Sequence, residues 1–108
     1  MKLRATINYK FRVSLGTKWP LTIFTKTHRG KASDEWTLKD SIIHKTLMLS
    51  RGIAWVNFDL YENNLSLEAF VLGKSVYNFN ANIEPGESKE FTVRWKGGQA
   101  TINLSLIK

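Results

Sequence analysis

The chain is 108 residues long, 43% hydrophobic and 12% aromatic, which sets one domain with a small true core and excludes a disordered chain. It holds 16 Lys and Arg against 9 Asp and Glu, a formal charge of +7 that favours anionic partners and carries no information about fold. It has no cysteine, which excludes disulfides and thiolate metal sites and fits a reducing compartment.

From Leu3 to Leu15 every odd position is apolar: Leu3, Ala5, Ile7, Tyr9, Phe11, Val13 and Leu15. The even positions between are polar, and Lys2, Arg4, Lys10 and Arg12 are basic. A period of two over a dozen residues predicts a strand with one buried and one wet face. Such a strand cannot bury its apolar face alone, so the rest of the chain must supply neighbours and a facing layer. Its length predicts a bend at Lys10 or a passage from one sheet to the other. Gly16 to Pro20 reads as a turn or corner, with Gly16 free to take positive φ. Leu21 to Thr27 is β-rich and forms the expected second strand, and His28 to Ser33 reads as a basic loop.

In the next stretch Trp36 and Leu38 alternate with Thr37 and Lys39, as in a short strand. Asp40 or Ser41 would cap a short helix over residues 40–49, but the β-branched content there favours a turn at Asp40–Ser41 followed by a strand. Arg51–Gly52 punctuates. Ala54, Val56, Phe58 and Leu60 then form one strand face, with Trp55, Asn57, Asp59 and Tyr61 on the other. Glu62, Asn63 and Asn64 suit a hairpin turn. Leu65, Leu67, Ala69 and Val71 continue inward, with Phe70 and Leu72 at a rim or bulge, and Gly73 to Ser75 turns the chain again. Tyr77, Phe79, Ala81 and Ile83 alternate with Asn78, Asn80 and Asn82. Pro85 followed by Gly86 predicts a type II turn. Phe91, Val93 and Trp95, a tight Gly97–Gly98 turn, and Ala100, Ile102, Leu104 and Leu106 make a final hairpin, expected to cover the first strand. Residues 1–108 are therefore expected as a single all-β domain, an antiparallel two-sheet β-sandwich of immunoglobulin-like or jelly-roll-like type, with a small β-barrel as the alternative.

No apolar block resembles a signal peptide or reaches the length of a membrane span, so the expected setting is the cytoplasm or a virion, without a membrane partner. There is no Gly-rich phosphate loop, nucleophile elbow or HExxH. His28 and His44, with Asp34 and Asp40, lack metal-motif spacing. Asp59 and Glu68 would face each other across the Asn63–Asn64 hairpin, a weak carboxylate pair that reads better as a solvated face. The chain is accordingly read as non-enzymatic, with no catalytic residue, cofactor or metal.

Residues 1–51 hold eleven Lys or Arg and three Asp or Glu, whereas residues 52–108 hold five and six, so the whole charge excess lies in the first half. The leading functional reading is a protein-binding or assembly module, recognising another protein or a second copy through end loops and a basic face. Trp19, His28, Arg29, Lys31 and Trp36 are its contact residues. A second reading is nucleic-acid binding, with Lys2, Arg4, Lys10, Arg12, Lys26, Arg29 and Lys31 meeting phosphates and Tyr9, Trp19 and Trp36 as stacking candidates. A third is carbohydrate binding on Trp55, Tyr61, Tyr77, Asn78 and Asn80, with Trp95 beside them. Against it stands the reading of Trp55 and Trp95 as core residues.

Overall fold

The computed structural model describes the backbone of residues 1–18, 21–40 and 42–108, and the side chains of these except at positions 15, 17, 18, 21 and 22. Eight strands run in order: β1 (Lys2–Lys18), β2 (Leu21–Thr37), β3 (Ile42–Ser50), β4 (Ala54–Tyr61), β5 (Asn64–Val71), β6 (Lys74–Asn82), β7 (Ser88–Trp95) and β8 (Gly98–Ile107). They form two four-stranded antiparallel sheets, β2-β1-β8-β7 and β3-β4-β5-β6. The expected two-sheet sandwich forms, and it is not a closed barrel. Its connectivity is a meander: each ladder joins strands consecutive in the chain, except β1 with β8.

The alternation in β1 does what its pattern demands. Leu3, Ala5, Ile7, Phe11 and Val13 are buried, and Lys2, Arg4, Lys10 and Arg12 are exposed. Facing them are Ile43 and Leu47 of β3, the inward row Val56, Phe58 and Leu60 of β4, and Leu65, Leu67 and Ala69 of β5. Ala100, Ile102, Leu104 and Leu106 of β8 extend the same wall. The β7–β8 hairpin thus lies beside β1 in the same sheet, and the covering layer is β3 to β6. The hairpin was expected to be that cover. Its alternation would serve either place, and only the ladder Leu3↔Leu106 to Phe11↔Gly98 decides.

Further expectations are corrected. β1 pairs with β2 in unbroken register from Lys2↔Thr37 to Lys18↔Leu21 and stays in one sheet. Gly16 is therefore a strand residue opposite Ile23, while Trp19 and Pro20 of the expected corner lie outside the described residues. The supposed loop His28–Ser33 and the short strand at Trp36 are also both part of β2. The pattern misled because β2 is an edge strand. Its inward positions Lys26, His28, Gly30, Ala32 and Asp34 meet little of the facing sheet and need not be large and apolar.

A 17-residue strand at ~3.3 Å per residue runs about 56 Å. This accounts for a long axis of 56 Å against 20 and 19 Å for the others. β8 leaves β1 at Phe11, so the outer part of the β1–β2 hairpin projects as a two-stranded ribbon. Val13 still packs with Ala54. Further out, Ile23 and Phe24 are 70% and 61% exposed.

The sandwich has two open sides. On one, Phe79 of β6 packs on Phe91 of β7 at 4.8 Å and Tyr77 on Trp95 at 5.3 Å, which seals it with aromatic rings. On the other, the Tyr9 hydroxyl donates to the Leu49 carbonyl at 2.5 Å, tying β1 to β3. Lys45 of β3 and Lys89 of β7 occupy inward positions on edge strands, a placement that discourages pairing with other chains.

Residues 42–50 are strand, as expected, and Asp40 at φ 55° makes the preceding turn. Glu84–Glu87 closes with a Glu87 N–H to Glu84 carbonyl bond at 2.9 Å, with Gly86 at φ 87°, the type II form expected. The last hairpin turns one residue earlier than expected, on Lys96–Gly97. Gly98 is already in β8, and a Cβ there would lie 2.4 Å from the Trp95 ring.

Candidate anion-binding face

On the outer side of the β2-β1-β8-β7 sheet the register assembles side chains from four strands. Arg29 of β2 lies opposite Lys10 of β1, Lys10 opposite Gln99 of β8, and Gln99 opposite Arg94 of β7. The next row is Lys31, Asn8, Thr101 and Thr92. These residues line an open basin of about 750 Å³. A second hollow, where β8 leaves β1, shares Lys10 and Gln99 and adds Arg12. Neither hollow is lined by a carboxylate. On the same face Glu35 is engaged by Arg4 at 3.7 Å, and Glu90 stands two rows from Arg94.

Adjacent strands lie ~4.8 Å apart, so Lys10 and Arg29 are neighbours and Arg94 lies within about 15 Å of Arg29. Like charges directly opposed across a ladder destabilise it. Lys10 and Arg29 are such a pair, exposed and without a carboxylate partner among the described residues. An anion in the basin converts that repulsion into attraction. Asn8, Gln99, Thr92 and Thr101 add neutral hydrogen-bonding groups around it. The outward positions of this face carry no aromatic side chain between Lys2 and Ser14 of β1, or on β7 or β8.

The residues named from the sequence separate into groups. Lys10, Arg12, Arg29 and Lys31 come together, while Lys2 and Arg4 share the face but lie at its far end. Lys26 lies opposite Val13 and faces the other side of the ribbon. Trp36 is 9% exposed and packs on Phe58 at 5.4 Å, so it offers neither a protein contact nor a stacking surface. His28 is half-buried on the inward side, stacked on Phe11 at 5.1 Å. Tyr9 also points inward. Trp19 lies outside the described residues. Of the expected contact residues, Arg29 and Lys31 thus face the opposite side from His28 and Trp36, because all four sit in one strand whose alternate residues face opposite ways. Arg94 and Gln99 were not singled out from sequence. The alternation around Trp95 marks Arg94 as outward, but only the β7-β8-β1 order brings it to Lys10.

The third group lies on the opposite sheet. Trp55, Tyr61, Asn78 and Asn80 occupy outward positions of β4 and β6. Trp55 is half-buried against Phe70 at 5.6 Å and is not a core residue. Trp95 and Tyr77 do face inward, and burial pushes the Tyr77 phenol well above its usual range. Its hydroxyl finds no hydrogen-bond partner among the described residues.

Asp59 and Glu68 share the outer face of that sheet in diagonal positions. Asp59 hydrogen-bonds His44, and Glu68 accepts from the Ser75 hydroxyl at 2.8 Å. Among the described residues no group of three His, Cys, Asp or Glu is placed to hold a metal. Among the described residues no helix is long and apolar enough to cross a membrane.

Comparison with known proteins finds no counterpart: no family model, no curated protein and no solved structure matches the chain.

Proposed function

We propose that the protein is a binding module whose β2-β1-β8-β7 face engages the phosphate backbone of a nucleic acid. The observation that carries this reading is the opposed pair Lys10 and Arg29, joined by Arg94 and Lys31 around a basin without carboxylates, with Arg12 in the adjoining hollow. An acidic protein surface would meet the same charges. Protein interfaces, however, rest on a desolvated apolar or aromatic anchor, and the basin has none on its outer side. The lack of outward aromatics also argues against base stacking, the usual grip on single strands. Recognition through the backbone of a duplex, indifferent to sequence, is the mode that these side chains support.

The test is binding to a duplex of about 20 base pairs across a salt series. Each phosphate neutralised contributes roughly −0.9 to the slope of log K against log salt, so four to five contacts predict a slope near −4. Lys10→Glu with Arg29→Glu is expected to abolish binding while leaving the fold intact, since both are exposed. Absence of binding at low salt, or binding that survives the double reversal, overturns the reading.

A further inference from the structure

The outer face of the β3-β4-β5-β6 sheet is chemically unlike the other. The outward positions of β3, β4 and β5 contain no Lys or Arg: they are Ile42, His44, Thr46 and Met48, then Trp55, Asn57, Asp59 and Tyr61, then Asn64, Ser66, Glu68 and Phe70. A solvated sheet face ordinarily mixes both signs of charge. Here amides replace lysines.

These side chains surround a trough of about 280 Å³ lined by Asn57, Asp59, Ser66, Glu68, Asn78 and Asn80. Their hydrogen bonds leave a defined set of free groups. Thr46 Oγ1 donates to Asn57 Oδ1 at 2.8 Å, and Ser66 Oγ donates to Asn80 Oδ1 at 2.7 Å. Both amides keep their N–H groups without a protein partner among the described residues. Asp59 and Glu68 each engage one carboxylate oxygen and keep the other as an acceptor. The trough thus offers amide donors beside carboxylate acceptors, each with its orientation fixed by a neighbouring hydroxyl or imidazole.

Aromatic rings flank it. At one end Trp55 stacks on Phe70, with the planes 18° apart. At the other, Tyr61 is 64% exposed. Trp55 and Tyr61 are six residues apart on one strand, about 20 Å at ~3.3 Å per residue.

We infer that this trough binds a neutral oligosaccharide chain. A sugar ring presents adjacent hydroxyls, each both donor and acceptor, which suit paired amide and carboxylate groups. Its C–H faces are apolar and suit an exposed aromatic platform. The carboxylates of Asp59 and Glu68 disfavour sulfated or uronic chains, so the class is neutral. The span between Trp55 and Tyr61 accommodates several rings. This site is on the opposite sheet from the basic face and does not depend on the nucleic-acid reading.

The experiment is titration of the full chain with a panel of neutral hexasaccharides: cello-, xylo-, laminari-, manno- and chitohexaose. Amide and indole N–H shifts are followed by NMR. At least one hexasaccharide is expected to bind and to move the Trp55 indole and Asn78 side-chain signals. Trp55→Ala and, separately, Asn78→Ala are each expected to weaken it tenfold or more, while Lys10→Glu with Arg29→Glu leaves it unchanged. Asn78 is exposed, so its substitution keeps the test independent of folding. A panel without a binder at millimolar concentration overturns the inference. So does a binder whose affinity survives both single substitutions, or one that is lost with the Lys10 and Arg29 reversal.

Discussion

Tyr9 lies across Gly30: a Cβ built at position 30 would fall 2.7 Å from the Tyr9 hydroxyl oxygen. The same hydroxyl donates to the Leu49 carbonyl in the facing sheet. Gly30 therefore makes room in β2 for the side chain that ties β1 to β3. Gly30→Ala gains a few tenths of a kcal/mol from a stiffer unfolded chain, but it must displace a phenol held by a hydrogen bond. Losing that bond costs ~1 kcal/mol and leaves the Leu49 carbonyl without its partner. We predict a net loss of about 1–2 kcal/mol by urea denaturation, and a smaller loss when Gly30→Ala is made in a Tyr9→Phe background.

Arg94 completes the basic row from the far strand, three strands from Arg29. Arg94→Ala is expected to weaken duplex binding about equally for unrelated sequences and to reduce the salt slope by about 1. Lys26→Ala, on the opposite side of the ribbon, is expected to leave the slope unchanged. The salt series above distinguishes the two.

Leu72 takes φ 52° beside Gly73 at φ 77°, the two left-handed positions of a tight hairpin turn between β5 and β6. A leucine there bears a Cβ–carbonyl clash of roughly 1–2 kcal/mol, which asparagine tolerates better. The side chain is 52% exposed, so little burial is lost. Leu72→Asn is predicted to stabilise the protein by about 1 kcal/mol, raising Tm by about 4–8 °C in calorimetry.

Tyr77 couples stability to alkaline pH. Burial raises its folded pKa above the ordinary 10.0, so the unfolded chain releases this proton first. The contribution is complete below pH 10 and is lost as pH rises beyond it. Tyr77→Phe removes this dependence and also a buried hydroxyl without a partner among the described residues. Stability at neutral pH is expected to be unchanged or up to ~1 kcal/mol higher. Denaturation curves at pH 8 and above 10 check both, and an unaltered alkaline slope in the variant contradicts the prediction.

The alternation of Leu3, Ala5, Ile7 and Phe11, of Val56 and Phe58, and of Ala100 to Leu106 determined by itself that these strands are half-buried and which side chains enter the core. A period of two leaves no other way to gather apolar groups, and Lys10 and Arg12 had to face outward with it. Tertiary structure decided the rest. β2 is continuous because β1 offers it an unpaired edge along its whole length, whereas its own inward residues, from Lys26 through Gly30 to Asp34, carry no apolar signal. An edge strand buries too little to need one. Trp36 and Trp55 look alike in the chain, but one enters the core and the other stacks on Phe70 outside, because each residue's fate depends on which strand lies across from it. The row of Arg29, Lys10, Gln99 and Arg94 draws on three distant segments. No periodicity encodes it: it exists only because β8 pairs with β1 and β7 with β8.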